Sequence, residues 1–491
     1  MECGCSDNND ISSCCDDRKA VVSCNVSIDN PTSRMLILAV ICLIVTIQLA
    51  LSCGSYSGYA TPPMYGDYEA QRHWMEITYH LPISQYVNSS DNDLNYWGLD
   101  YPPLTAYHSW LLGTLANKFN SSWVELHMSR GIEAEFHKFF MRMSVLVTYW
   151  IVYAPSLLLS IGFFHNLRSL KMLSYCTIAL LYPGLLSMDN GHFQYNHMSL
   201  GLFLFSFACF VSNFLRLGSV FFILAINFKQ MELYHALPIA MYLLSRCFLN
   251  NIGFSTFERY FSLASSLLML FITAIMTMIL VWLPFLITHS DLFQILHRIF
   301  PFYRGLFEDK VANFWFAVNV FFKIKENFEL SSLLRLSAVA VMITNIPCLL
   351  CIFYHPSVVH EKSILFVAIP AILLWKENSV FISWLLIISN ASLYPLCIVD
   401  GNATHLSLFV LYYLIASSSF AQLSLSKRLV VHGSCLGSLI LCLASLLFSP
   451  PKRYPHIFSL LVAVYCFCHF MLFFLYVNII TVKPIFKKKD E

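Results

Sequence analysis

Charge is what this chain of 491 residues has least of. Asp, Glu, Lys and Arg together make up 12%, against 57% hydrophobic residues and a mean hydropathy of +0.64. That balance excludes an ordinary water-soluble domain of this length. A net charge of +2 supplies neither a basic field for nucleic acid nor an acidic tail. No repeat with a period of about 20–50 residues and no low-complexity tract is present, so solenoids and arrays drop out. No cleavable signal peptide precedes the first apolar run, because residues 1–34 are polar and include Asp16, Asp17 and Arg18. Cysteine is not scarce, at 17, but most lie inside apolar runs, as at Cys348 and Cys351, where they read as small buried residues and not as a disulfide framework. Cys3, Cys5, Cys14, Cys15 and Cys24 have no histidine among them and sit in a tail whose composition reads as disordered.

What the chain does have is apolar runs of about 17–25 residues, enough to cross a bilayer as helices. Eight are uninterrupted, at 35–53, 139–164, 262–288, 333–353, 381–396, 406–420, 429–448 and 457–480. Shorter candidates at 172–187, 198–216, 219–228, 231–246, 314–322 and 363–375 bring the predicted count to about fourteen. The reading is an all-α polytopic membrane protein. Basic residues test it, since they should collect on one side. Arg168, Lys171, Arg216, Arg246, Lys323, Lys325, Lys376, Lys427 and Arg428 do so, and Lys452 with Arg453 are the exception. Both termini are then cytosolic. The predicted organisation is a Cys-rich tail over 1–34, one membrane domain over 35–482 with long lumenal loops at 54–138 and 289–313, and a cytosolic tail over 483–491. That tail ends Lys488-Lys489-Asp490-Glu491, the pattern of a dilysine endoplasmic-reticulum retrieval signal, with a basic flank facing anionic lipid as the lesser reading. The sequons at Asn88, Asn120 and Asn402 fall on the lumenal side, and the one at Asn25 on the cytosolic side.

The first long loop is a polar island, with GDYEAQRHW from Gly66 and NYWGLDYPPLTAYHSW from Asn95. So long a loop without strand-like alternation is usually functional. Residues 67–80 place Tyr68, Arg72, Met75 and Tyr79 on one face at helical spacing, predicting a short interfacial helix. Asp67 at its start reads equally as an N-cap, and Glu69 as a helix-dipole partner. Asp100 with Pro102 and Pro103 reads also as a rigid turn. Trp74, Trp97 and Tyr101 suit sugar stacking or an interfacial aromatic belt. His192, Gln194 and Asn196 fall at a span junction, as hydrogen-bonding groups or a polar turn.

At these residues the chain resembles a known family. PPMYGDYEAQRHWMEITYHLP, NYWGLDYPPLTAYHS, DNGHFQYN, NFKQMELYHALP, RGLFEDKVANFW and VHEKSIL occur in the order found in the endoplasmic-reticulum dolichyl-phosphate-glucose-dependent glucosyltransferases of the membrane-embedded GT-C class. The likeness runs from about residue 34 to the C-terminus and implies a GT-C fold in the endoplasmic-reticulum membrane, with a lumenal active site. It implies transfer of the first glucose, in α-1,3 linkage, from dolichyl phosphate glucose to the nine-mannose dolichol-linked oligosaccharide. Addition of the second glucose is the alternative within the family, and a lipid flippase or transporter the alternative outside it. No inverted repeat of the transporter kind is visible.

The resemblance also assigns roles. A β-linked donor giving an α product inverts the anomeric carbon, which needs one general base, and in the family the aspartate of the first lumenal motif has that role, here Asp67. Asp100 supports it. His360, Lys362 and Arg304, helped by Lys310, are the donor-phosphate ligands, with an interfacial anchor as the other reading of His360 and Lys362. Glu69, Arg72, His73, Trp74, Trp97, Tyr101, His192 and Gln194 complete the substrate-contacting set. No cofactor is implied, nor a metal, although Asp67, Glu69 and Asp100 suffice in number for a divalent cation. The implied partners are the two lipid-linked sugars and the membrane, with no nucleic acid and no obligate protein partner.

Overall fold

A computed structural model describes residues 31–86, 89, 91–164, 170–249, 256–288, 291–300, 314–354, 364–375, 377–401 and 404–487. Among them every regular element is helical. In chain order these are α1 (Pro31–Cys53), α2 (Gly66–His80), α3 (Pro103–Phe119), α4 (Glu135–Thr148), α5 (Ala154–Phe164), α6 (Leu170–Leu180), α7 (Pro183–Leu186), α8 (Asn196–Val211), α9 (Leu215–Phe228) and α10 (Ala236–Leu249). The second half comprises α11 (Thr256–Ile287), α12 (Leu292–Ile299), α13 (Phe314–Phe322), α14 (Ile324–Asn327), α15 (Leu330–Tyr354), α16 (Ile364–Leu373), α17 (Ser379–Val399), α18 (Thr404–Ala416), α19 (Leu425–Leu447) and α20 (Ile457–Lys487).

All eight uninterrupted apolar runs fall on helical segments, whose ends lie up to about seven residues beyond the predicted ones. Seven described segments are long and apolar enough to cross a membrane: Arg34–Cys53, Glu135–Gly162, Tyr260–Ile287, Ser379–Val399, Thr404–Gln422, Leu425–Leu447 and Ile457–Ile480. Asn196–Val211, Leu215–Phe228 and Leu330–Ile346 are apolar but shorter. The outward faces carry exposed apolar side chains, such as Leu38 on α1, Phe261, Phe271 and Leu280 on α11, and Ile440 on α19. A surface of that kind belongs against lipid. An all-helical chain with these segments is consistent with the polytopic membrane class.

Two features of the fold set up the site. The run predicted over 172–187 does not continue as one helix. α6 stops at Leu180, and Pro183, which has no N–H to give, restarts the chain as the single turn of α7 before a π-helical turn at Ser187–Phe193. The loop helices α2 and α3 pack on each other, with Met75, Leu112 and Ala116 sharing a core with Met141 and Val145 of α4 and with Phe193 and Tyr195. The helix predicted over 67–80 is therefore real, and every residue from Tyr68 to Thr78 is buried against protein. Tyr68 and Met75, from the face that also carries Arg72 and Tyr79, belong to that core.

Candidate active site

Asp67 is placed by two glycines packed back to back. Gly58 and Gly66 both have positive φ, at 77° and 68°. A Cβ on Gly58 would lie 2.0 Å from the carbonyl carbon of Tyr65, and one on Gly66 would lie 2.7 Å from the Gly58 nitrogen. Only glycine fits either position. The crossing starts α2 at Gly66, and the Asp67 N–H donates to Ser57 Oγ at 3.2 Å. The N-cap position is Tyr65, which makes no side-chain cap bond. Asp67 is thus not a cap; its carboxylate turns away from the helix end.

It turns toward the π-helical turn. His192 Nε2 lies 3.0 Å from Asp67 Oδ2, and Gln194 Nε2 donates to the same oxygen at 2.6 Å. The other ring nitrogen, His192 Nδ1, lies 2.6 Å from Oδ2 of Asp400, which follows α17. Among the described residues nothing bonds Asp67 Oδ1. Burial alone would raise the Asp67 carboxyl, but the bonds from His192 and Gln194 outweigh it and hold the group below the usual aspartate value. Burial alone would likewise lower the His192 imidazole, and the bonds to Asp400 and Asp67 reverse this, lifting it to about 9. The result is an ionised carboxylate with one oxygen tied down and one open.

Gln194 is oriented in turn. Its Oε1 accepts from Asn196 Nδ2 at 3.0 Å and faces Lys229 Nζ at 3.4 Å, which leaves its amide nitrogen to Asp67. Lys229 also donates to Asn196 Oδ1 at 2.5 Å, and Asn196 Nδ2 donates to Asp189 Oδ1 at 2.8 Å. Behind the turn, Arg142 of α4 donates to the carbonyls of Asn190, Gly191 and Ser55. Those bonds hold Phe193, a buried aromatic at φ 88°. Backbone strain of this kind gathers where geometry serves function.

Asp67 opens onto a cavity of about 760 Å³. Asp67, Ala70, Gln71 and Trp74 supply one wall, at the i, i+3, i+4, i+7 spacing of a single helix face. Trp97, Asp100, Tyr101, Gln194, Lys229, Gln230 and Tyr234 supply others. Trp74 Nε1 donates to the Trp97 carbonyl at 2.9 Å, and the Trp74 and Tyr101 rings lie 5.0 Å apart. Acidic, amide and aromatic groups on one concave surface suit a polyhydroxylated ligand.

A model of the ALG6, ALG8 glycosyltransferase family matches residues 37–358 and 330–476. The chain belongs to that family. It is similar to the probable dolichyl pyrophosphate Man9GlcNAc2 alpha-1,3-glucosyltransferase of Caenorhabditis elegans, 41% identical over 92% of this chain and 91% of the relative. The dolichyl pyrophosphate Man9GlcNAc2 alpha-1,3-glucosyltransferase of Gallus gallus is 38% identical over 89% of this chain and 95% of its own. A probable enzyme of the same name from Drosophila melanogaster is 37% identical, over 91% and 98%.

In this ALG6, ALG8 family member, Asp67, Trp74, Trp97, Asp100, Tyr101 and Gln194 of the predicted set share the cavity wall, and His192 stands directly behind Asp67. Glu69, Arg72 and His73 do not reach that wall. Arg72 bonds Glu69 Oε1 at 2.6 Å, Glu76 Oε2 at 2.7 Å and Ser129 Oγ at 2.5 Å, and His73 Nδ1 lies 3.3 Å from Glu76. Burial would raise the Glu76 carboxyl, but the bond to His73 and the Arg72 charge hold it at about 2. This buried ion cluster clamps α2 from the side away from the cavity. His360, Lys362, Arg304 and Lys310 lie outside the described residues, as do the N-terminal cysteines, Lys488, Lys489 and the sequons at Asn25, Asn88 and Asn402. Sequence reading missed Lys229 and Asp400. Each is a lone charge at the end of an apolar run, a signal that marks function in membrane proteins.

Proposed function

We propose that this chain is an inverting glycosyltransferase of the GT-C type. It moves glucose from dolichyl phosphate glucose onto dolichol-linked Man9GlcNAc2, in α-1,3 linkage, at the lumenal face of the endoplasmic-reticulum membrane. The relatives' printed names supply the acceptor and the linkage. The observation that carries the mechanism is the Asp67 carboxylate, tied at Oδ2 and open at Oδ1 on the cavity wall.

In a single displacement the acceptor hydroxyl oxygen bonds the glucose anomeric carbon as the bond from that carbon to the phosphate oxygen breaks. The hydroxyl proton passes to Asp67, and dolichyl phosphate leaves with the bonding electrons. A carboxylate of lowered basicity serves here because the hydroxyl acidifies as its oxygen bonds the electron-poor carbon. General-base help of this kind is worth about 10²–10⁴-fold. Trp74, Trp97 and Tyr101 offer ring faces to the sugars, and Asp100 and Gln71 offer hydrogen bonds. Lys229 adds positive charge to the wall, and His360, Lys362 and Arg304 take the leaving phosphate. The cationic His192 bound to Asp67 disfavours a divalent metal at that carboxylate, so the reaction runs without one.

Purified protein in EDTA, given dolichyl phosphate glucose and the Man9 acceptor, should yield the one-glucose product, and Asp67→Asn should lower kcat at least about 100-fold. An active Asp67→Asn enzyme, or wild-type transfer that needs added Mn²⁺, overturns this reading. Product only from an acceptor already bearing one glucose would assign the second transfer instead, and lipid movement without transfer would assign a flippase.

A further inference from the structure

The proposed chemistry uses Asp67 and leaves a buried carboxylate, Asp400, with no role. We propose that Asp400 is a positioning residue for the catalytic base, holding the His192 imidazole so that its Nε2–H is presented to Asp67 Oδ2. The inference rests on Asp67 being the base. Both ring nitrogens of His192 face carboxylate oxygens, at 2.6 Å for Asp400 and 3.0 Å for Asp67. Ionised carboxylates only accept, so both nitrogens carry hydrogen and the ring is a cation. The Asp67 side chain is 36% exposed and that of Asp400 only 4%. The buried carboxylate is the costlier of the two to leave without its partner.

The other charged groups around the turn make their hydrogen bonds elsewhere, although the Arg142 charge bears on Asp400 and the Lys229 charge on Asp67. Arg142 from α4 binds backbone carbonyls, and Lys138 at the rim reaches the Cys53 carbonyl at 3.5 Å. Asp189 pairs with His197 at 2.7 Å, His405 faces Ser187, and Lys229 lies beyond Gln194. Among the described residues, none of them bonds either nitrogen of His192.

A pH signature follows. When His192 loses a proton, one hydrogen remains for two carboxylates. Asp400 keeps it on Nδ1, and Asp67 meets a bare Nε2 lone pair, held at Oδ2 by Gln194 alone. Transfer should therefore fall as pH rises through about 9, where the imidazole titrates. In Asp400→Asn the new amide donates to Nδ1, so even the neutral ring keeps its hydrogen on Nε2 and its bond to Asp67. That variant should lose the alkaline limb. Its kcat at pH 7 should fall about tenfold, as a charge-assisted bond becomes a neutral one, with donor KM changed less than about threefold.

The test is the pH profile of kcat for wild type, Asp400→Asn, His192→Gln and the double variant, with folding checked by thermal unfolding in detergent. The inference predicts that Asp400→Asn adds less than about threefold in the His192→Gln background. Independent, multiplicative effects overturn it, as does an Asp400→Asn enzyme with the wild-type profile. If Asp400→Asn does not fold, Asp400→Glu decides: it should keep the alkaline limb with a lowered kcat, and a wild-type kcat overturns the inference. An inactive Asp67→Asn beside an unaffected Asp400→Asn sinks this inference alone; an active Asp67→Asn sinks the base assignment itself.

Discussion

Asp67 and Arg72 sit five residues apart on one helix and do opposite jobs, one facing the cavity and the other locked in protein. The Arg72 guanidinium is wholly buried between Glu69 and Glu76. Removing one partner from a buried ion cluster leaves uncompensated charge at a cost of about 3–5 kcal/mol. Arg72→Met should therefore reduce accumulation of folded protein and lower its thermal midpoint; a variant with wild-type stability and a raised donor KM would instead make Arg72 a substrate ligand. The sign of the pH dependence is set by Glu76. Its carboxyl is depressed to about 2 from an ordinary 4.5, so its contribution is full above 4.5 and lost as pH falls through about 2. At this scale the sequence was half legible. The i, i+3 and i+4 spacing of Glu69, Arg72 and Glu76 advertises an ion pair on any helix. It does not reveal depth, and depth is what turns these groups from sugar ligands into a clamp.

α2 works because its start is fixed on one side and its length is clamped on the other. The Gly58 and Gly66 crossing sets the start, and the glycines were visible in the sequence as punctuation only; their contact depends on a turn that brings Tyr65 back over Gly58. Gly66→Ala needs a left-handed backbone and drives a methyl into the Gly58 nitrogen. Strain of about 1–3 kcal/mol would be relieved by moving the first turn of α2, and with it Asp67. A displacement of about 1 Å at a reacting group can cost 10²-fold, so kcat should fall by at least about tenfold while donor binding persists. Wild-type kcat in Gly66→Ala would show that the crossing does not place the base. The π-helical turn carrying His192 was read as a span junction, and its residues were rightly flagged as polar. Its shape was not legible, because it depends on Pro183 and on Arg142, from another helix, bonding two of its carbonyls.

Across the whole molecule, the bonds joining Asp67, His192 and Asp400 put three distant segments on one face of the membrane, and that constrains how the chain crosses. Among the described residues between Asp67 and His192, only Glu135–Gly162 is long and apolar enough to span. One crossing would leave the two residues on opposite faces, so a second must lie between them. With α3 packed on α2 in the loop, the candidate is α6 with α7, broken at Pro183 and lined by buried residues from Ile178 to Leu186. Irregular backbone crosses a bilayer where protein, not lipid, surrounds it, which is why hydropathy marked 172–187 only as an interrupted candidate. α8 and α9 obey the same parity. Asn196 before one touches Lys229 after the other, so the pair crosses twice or not at all. The partners of lone charges such as Lys229 and Asp400 were illegible, because they lie in other segments. Residues 165–169, between α5 and α6, should accordingly face the cytosol. A sequon inserted there should stay unglycosylated in microsomes, while one inserted beside the exposed Tyr59, on the loop that carries Asp67, should be modified. Glycosylation of both would mean that Glu135–Gly162 makes no net crossing between them, and the hydrogen bond between His192 and Asp67 would then require that α6 and α7 not cross either.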